Sequence, residues 1–441
     1  MIMDKFKRYD SYKNSGVEWL GEIPSHWEIA RLGVLGFFSS SGIDKNIRKR
    51  EPFVKIINFT DIYSNSKHIL DNSIPYIQVT TPENIRIKNL VQKGDLIFLP
   101  SSETYKDLGL SALVDEKLEN TSFSYHVIRL HFNKEYIEHR FKKYLTNNNF
   151  VLGQFSSLGK GTTRKIIGRN VFKNVQVVIP PKEEQEKIAS YLDEKIVKID
   201  TAISGKVKLI ELLKEQKQII INNAVTKGLN KNAKFKDSGV EWLGEIPSHW
   251  EIRKVKNIFK LIIDPAPIGN KEKLLSIYTD IGVKPRSELI EKGNKASTID
   301  GYLKVKKGDF IVNKLLAWMG AIGLSEYKGV TSPAYDILRA KIPIIGKFYH
   351  ELFRLNVFSE EMKKYSRGIM DMRLRLYFDK FGDILIPLPP KDEQEKIVEY
   401  IENKISKIDK LVNLEQEYIK SLKEYKESLI DSVVTGKVKI V

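Results

Sequence analysis

At 441 residues, with 41% apolar and 29% charged side chains, the chain is long enough for two or three domains with cores of their own and has none of the bias of a disordered protein. It has no cysteine, which excludes a disulfide framework and any thiolate metal site, and its start has no apolar stretch of signal-peptide length, so a cytoplasmic protein with no membrane span is expected. A net charge of +17 favours a polyphosphate partner; Lys and Arg are spread over every segment instead of one amphipathic face, which puts nucleic acid ahead of a membrane surface.

Along the chain, the first patterned stretch is Ser15–Ile29, SGVEWLGEIPSHWEI, which returns unchanged at Ser238–Ile252, displaced by 223 residues (238 − 15). Trp19, Trp27, Trp242 and Trp250 lie in these two boxes, around a turn shaped by Gly and Pro. Large aromatics held about a fixed turn predict a plug that docks on something common to both halves. His26 and His249 have no second His or carboxylate at ligand spacing and read as packing residues.

From Arg31 to Ile179 short apolar runs alternate with turn residues. FVKIINFTDI, PYIQVT, DLIFLP, YHVIRLHF and VQVVIP read as strands, and Glu135 to Val151 as a helix, giving a mixed α/β domain. Ser101, Ser102 and Lys106 follow the turn Lys93-Gly94-Asp95 and its strand, where groove-entering loops start. The loop Gly159–Lys165, GKGTTRK, combines glycines that let backbone approach a phosphate, the hydroxyls of Thr162 and Thr163, and the cations Arg164 and Lys165; an arginine can take a guanine edge bidentately. Bracing the helix that follows is the other reading of Arg164.

That helix is predicted over the region Pro180–Thr226, and a second over Pro389–Thr435, displaced by 209 (389 − 180). Leu192, Ile196, Ile199, Ile203, Ile210, Leu213, Ile220 and Ala224 recur at three- and four-residue steps, as do Ile401, Ile405, Ile408, Val412, Ile419, Leu422, Leu429 and Val433. This is a coiled-coil seam, interrupted at Lys206 and Lys217 and again at Glu415 and Lys426. About 42 helical residues make a rod of roughly 60 Å, and two equal stripes predict pairing with each other.

Between the copies, residues 228–236 form a polar linker, and the second insert, from Arg253 to Leu388, shares little with the first. Lys307-Gly308-Asp309 repeats the earlier turn and Tyr335 answers Tyr125. Asn313, Lys314, Trp318 and Met319 occupy the loop after that turn's strand. Ser366-x-Gly368-x4-Arg373 stands 209 residues after Ser157-x-Gly159-x4-Arg164 (366 − 157), and makes Arg367, Arg373 and Arg375 the counterpart cations. Phosphate-loop, dinucleotide-binding, zincin and Cys/His zinc motifs are all missing from the sequence. Catalytic residues, metal ligands and a cofactor of the chain's own are therefore not expected.

The doubled box E-W-L-G-E-I-P-x-H-W, the doubled helix entry P-P-x-x-E-Q-x-x-I (Pro180 to Ile188 and Pro389 to Ile397) and the two unlike inserts resemble the DNA-specificity subunit of Type I restriction-modification systems, over nearly the whole chain. The resemblance implies a mixed α/β (α+β) protein with a pseudo-two-fold repeat: two globular target-recognition domains joined by two long helices in an antiparallel coiled coil. The expected segments are 1–179 (first recognition domain with its Trp box), 180–227 (first spacer helix), 228–236 (linker), 237–388 (second domain with its box) and 389–435 (second spacer helix). It also implies a non-catalytic partner of double-stranded DNA that holds two methyltransferase subunits and, through them, restriction subunits. S-adenosylmethionine, ATP and Mg²⁺ would then belong to those partners. A DNA-binding scaffold of the same frame without an enzyme partner is the alternative.

Overall fold

The computed structural model describes residues 7–133, 137–288, 299–368 and 374–440. The chain divides into two compact units, residues 1–206 with 417–441 and residues 207–416, so each holds part of both long helices.

In the first unit a sheet runs in the order Gly36–Ser39, Ile128–Phe132, Leu96–Phe98, Ser111–Val114, Ile69–Leu70. Its neighbours are antiparallel except the last pair, which is parallel. The central strand is apolar throughout because both its faces are covered. Leu96 and Phe98 join a core with Phe141, Leu145, Phe155 and Phe172, while Ile97 and Leu99 join another with Val114 and Phe123. The second unit repeats the device in an antiparallel sheet ordered Phe259–Ile262, Tyr335–Ala340, Phe310–Asn313, Ile322–Leu324. There Phe310 and Val312 meet Phe348, Tyr349 and Phe353, and Ile311 meets Ile277 and Ile337.

Two elements differ from the sequence expectation, each because of one asparagine. The run from Phe53 is a strand only to Ile57; Asn58 then caps a short helix, Phe59–Tyr63, with Asp61 Oδ2 accepting the Asn58 N–H at 2.7 Å. The single helix expected over 135–151 starts at residues outside the described set and is otherwise two, Lys142–Thr146 and Asn149–Leu158. The Asn148 amide ends one and starts the other. Its Nδ2 donates to Tyr144 O (2.9 Å) and Leu145 O (3.0 Å), and its Oδ1 accepts from Val151 N (3.1 Å).

The long helices span Lys182–Lys227 and Lys391–Val434, 46 and 44 residues. Each follows a Pro-Pro pair and opens with two acidic residues (Glu183 and Glu184; Asp392 and Glu393), which suit the positive end of the helix dipole. In the first unit Ile188, Leu192 and Ile199 share a core with Leu422, Leu429 and Val433. In the second, Ile221, Ala224 and Val225 share one with Ile397, Val398 and Ile401. Pairing is antiparallel within each unit. Lys426 Nζ meets both oxygens of Asp200 (2.8 and 2.9 Å), and Lys217 Nζ both oxygens of Asp409 (2.8 and 3.0 Å). The 209-residue displacement carries one ion pair onto the other (409 − 200, 426 − 217). Two polar interruptions of the seam are thus answered by carboxylates, and a third, Lys206, lies 4.1 Å above the Tyr418 ring.

The ends of the two helices also correspond. After the first, Gly228 (φ +70°) lies against Trp250 and Pro247 of the second box, where a Cβ would come within 3.1 Å of the indole. After the second, Gly436 (φ +75°) lies against Trp27 and Pro24 of the first box, and a Cβ there would meet Pro24 at 2.3 Å. Tyr12 donates to Gly436 O (3.1 Å), and Lys439 bridges to Lys7.

Candidate nucleic-acid interface

The box and the helix entry form one joint in each unit. Trp27 and Trp250 are completely buried, and each indole N–H donates to a carboxylate in the first turn of a long helix: Trp27 to Glu184 (3.1 Å), Trp250 to Glu393 (3.0 Å). His26 adds a contact to Glu184 at 2.6 Å and His249 one to Glu393 at 2.7 Å. Tyr9 OH is a third donor to Glu184, at 2.9 Å. Burial alone would raise the Glu184 pKa; the bonds from His26, Tyr9 and Trp27 outweigh it and hold this carboxyl below the ordinary range. The neighbouring glutamine ties in the insert. Gln185 donates to Pro180 O (2.8 Å) and accepts Glu138 N (2.7 Å); Gln394 donates to Pro389 O (2.9 Å) and accepts Ile345 N (2.9 Å). The motif P-P-x-x-E-Q is therefore the clamp between box, insert and rod.

Two of the four box tryptophans are buried within the chain itself. Trp27 and Trp250 face their own helices, and Trp242 packs edge-on against Phe358 with centroids 5.0 Å apart. Trp19, 67% exposed, is the one that presents its indole to the surface.

In each insert the structure brings together two segments far apart in sequence. In the first, Ser101–Ser102 pairs antiparallel with Lys165–Ile166, and Ile167 N donates to Pro100 O at 2.7 Å. The intervening hairpin is closed by mutual bonds between Lys160 and Ile166 (3.1 and 2.8 Å), with Thr162, Thr163 and Arg164 exposed. Gly161 makes the turn at φ +117°, and a Cβ there would fall 2.2 Å from Arg164 O. Arg164 is oriented on one side by Ser101 Oγ (3.1 Å from Nε) and on the other by the Phe59 ring at 5.6 Å. Lys165 lies 5.0 Å from the Tyr105 ring.

In the second insert, Leu376 N donates to Lys314 O at 2.8 Å, and Arg367 and Arg375 close the corresponding loop through two backbone bonds of 2.9 Å. Arg373 lies outside the described residues. Arg367 pairs with Asp379 at 3.6 Å, and Arg375 reaches Tyr377 OH at 3.5 Å.

Other candidates are tied to neighbouring groups, though Lys106 stays 79% exposed. Ser102 is buried (2% exposed) with its hydroxyl 3.4 Å from Asp107, and Lys106 leans onto Glu427 of the second long helix at 3.8 Å. Asn313 caps its own turn through Leu315 N (3.1 Å), Lys314 pairs with Asp336 (3.3 Å), and Trp318 donates to Leu315 O (3.0 Å); Met319 stays 52% exposed. The Lys-Gly-Asp turns are scaffold. Asp95 accepts Gln92 N (2.8 Å) and meets His131 (2.7 Å), while Asp309 accepts Lys306 N (2.8 Å) and grips Arg339 at 2.7 Å through both oxygens. Among the described residues no group of three or more His, Asp and Glu is placed to hold a metal, and no described helix is long and apolar enough to cross a membrane.

In each unit a long helix clamps an insert through its Glu-Gln pair, and the first insert presents a cationic hairpin. Comparison with known proteins gives the class: residues 24–212 match the Type I restriction modification DNA specificity domain. Two curated relatives from Methanocaldococcus jannaschii align over 100% of this chain. A putative type I restriction enzyme MjaX specificity subunit is 24% identical over 99% of its length, and the type I restriction enzyme MjaVIII specificity subunit 23% over 98%. The fold is that of solved chains at 17% identity. One, from a study of complex assembly and conformational transition in the type I R-M system, has a TM-score of 0.69 over 94% of this chain and 99% of its own. The HsdS subunit from Thermoanaerobacter tengcongensis has a TM-score of 0.55 over 96% and 100%. Residues 24–212 thus carry the match to the DNA specificity domain, and over its whole length the chain is similar to specificity subunits of Type I restriction enzymes.

Proposed function

We propose that the chain binds DNA within a restriction-modification complex and that its two inserts read the two halves of a bipartite site. The hairpin 159–165 with Ser101 serves one half-site, and the loop 367–375 with Lys314 the other. The observation that carries this is the repeated juxtaposition: just beyond the strand that follows each Lys-Gly-Asp turn, Ser101–Ser102 pairs with the end of the cationic hairpin at Lys165–Ile166, and Lys314 accepts from Leu376, next to Arg375. Exposed Arg164, Thr162 and Thr163 suit base and phosphate contacts, whereas buried Ser102 and Asn313 support the fold around them. The segments 1–179 and 237–388 act as target-recognition domains, and 180–227 and 389–435 as the spacer that sets how many base pairs go unread. The repeated boxes and helices offer like surfaces to two methyltransferase subunits, with Trp19 an added exposed contact on one of them; these partners carry restriction subunits and use S-adenosylmethionine, ATP and Mg²⁺. A scaffold without an enzyme partner is disfavoured by relatives that match end to end and are specificity subunits.

The test is a genome-wide map of N6-methyladenine in a host expressing this chain with the methyltransferase encoded beside it, against hosts lacking either gene. One split motif that requires both genes is expected. A stable complex with no new methylation would refute the reading.

A further inference from the structure

A cleft of about 330 Å³ opens in the first unit beside the hairpin, with walls that include Asn58, Phe59, Tyr63, Ser102, His126 and Arg164. At its base Asn58 is only 1% exposed, and neither its Oδ1 nor its Nδ2 has a hydrogen-bond partner, although its backbone N–H is held by Asp61. Its Oδ1 lies close to the amides it would cap in the helix Phe59–Tyr63 without closing a bond of ordinary geometry, so Nδ2 is the wholly unanswered group. Buried amides are nearly always paired, and one left open on the wall of a cleft marks a place that a ligand completes.

The walls restrict what that ligand is. Lys45 and Glu103 also line the cleft, and Lys45 with Arg164 outnumbers that one carboxylate, leaving the cleft net cationic. Burial first, then the charges of Arg164 and Lys45, keeps the His126 pKa below its usual value, so this imidazole adds no charge near neutral pH. Phe59 and Tyr63 stack at 5.2 Å and 22°, forming an aromatic wall. A flat, heteroaromatic edge on a polyanion satisfies all three features. An asparagine amide offers one acceptor beside one donor, which matches adenine, with its N6 donor beside its N7 acceptor. Guanine shows two acceptors on that edge, cytosine a donor and thymine an acceptor.

We infer that Asn58 reads an adenine of the first half-site, Oδ1 accepting from N6 and Nδ2 donating to N7. This deepens the half-site reading above and rests on it. Entry of the base edge requires the side chains of Tyr63 and Arg164 to shift, and both are exposed. Arg164, already oriented by Phe59 and Ser101, then lies beside the same base pair or its neighbour.

The experiment uses the full chain in complex with its methyltransferase and duplexes carrying the mapped site, with each first-half adenine replaced in turn by 7-deazaadenine, which lacks the N7 acceptor. In the unaltered complex one replacement is expected to weaken binding about tenfold, the scale of one lost hydrogen bond between uncharged groups. In Asn58→Ser, which keeps a helix-capping side chain, that penalty disappears and the second half-site reads as before. Asn58→Asp, also a capping residue but without the donor, serves in its place should the serine variant fail to fold. Equal penalties in both proteins, or a first half-site with no adenine, overturn the inference while leaving the half-site reading intact. A complex that prefers no sequence at all overturns both.

Discussion

Removing the Glu184 carboxylate should expose how the rod is joined to its box. In Glu184→Ala the Trp27 N–H, completely buried, loses its only acceptor, a loss of about 1–3 kcal/mol, and Tyr9 and His26 lose bonds that water partly replaces. A total of about 2–4 kcal/mol is expected, lowering the melting temperature of the unit by roughly 4–16 °C. Glu393→Ala provides an internal control. Asn232 stands where the first half has Tyr9 (232 − 9 = 223), so one donor is missing there and the loss should be smaller by about 1 kcal/mol. The effect also has a definite pH dependence. Because the folded Glu184 pKa lies below its ordinary 4.5, its contribution is complete above that value and is lost as pH falls through the folded pKa. Calorimetric melts of the wild type and both variants at pH 7 and below pH 4 measure this. A Glu184→Ala variant as stable as the wild type at pH 7, or a difference that grows on acidification, would refute the reasoning.

The paired ions Asp200 with Lys426 and Asp409 with Lys217 are partly exposed, so a double-mutant cycle on either should give a coupling of only about 0.2–1 kcal/mol in thermal melts. Arg164→Ala should cost about 1–3 kcal/mol and relax one position of one half-site, and Arg375→Ala should do the same only in the other, as read by methylation maps; uniform weakening would mark a phosphate contact instead. Gly161→Ala forces a side chain into a left-handed turn against Arg164 O and should weaken DNA binding in a mobility-shift assay while the melting temperature stays nearly unchanged. Inserting seven residues into each long helix should lengthen the unread spacer with both half-sites kept, and a spacer of unchanged length would rule out the helices as the measure.

The long helices were legible because a seam repeating every three or four residues is a local signal carried by dozens of positions. The central strands were legible for a different reason: Leu96–Leu99 and Phe310–Val312 are continuous apolar runs because both faces are covered. What periodicity could not show was where an asparagine stops an element. Asn58-x-x-Asp61 is a capping signature that lies inside an apolar run, and it ends the strand at Ile57. Asn148 leaves no such pattern, since its amide works on both sides at once. Trp19 and Trp242 sit in identical boxes yet differ in exposure, because Phe358, which covers Trp242, belongs to the divergent insert. The pairing of Ser101 with Ile166 joins residues 65 apart (166 − 101) through two-residue strands, too short for any alternation to announce them. Candidate site residues were therefore found by chemical type, and only their neighbours in space separated Arg164 from Lys106.

The junctions of Gly228 with the second box and of Gly436 with the first are the same contact made in two ways, one inside a continuous chain and one between segments that are distant in sequence. A gene opened within 228–236 and joined from 440 to 7 would specify every contact described at both boxes. More broadly, each reader is bounded on either side by repeated text, a box before it and a rod entry after it. Genetic exchange at those borders would deliver a whole insert with its clamp residues already matched; on the proposed reading, that changes the target sequence in one recombination step and leaves the frame as it was.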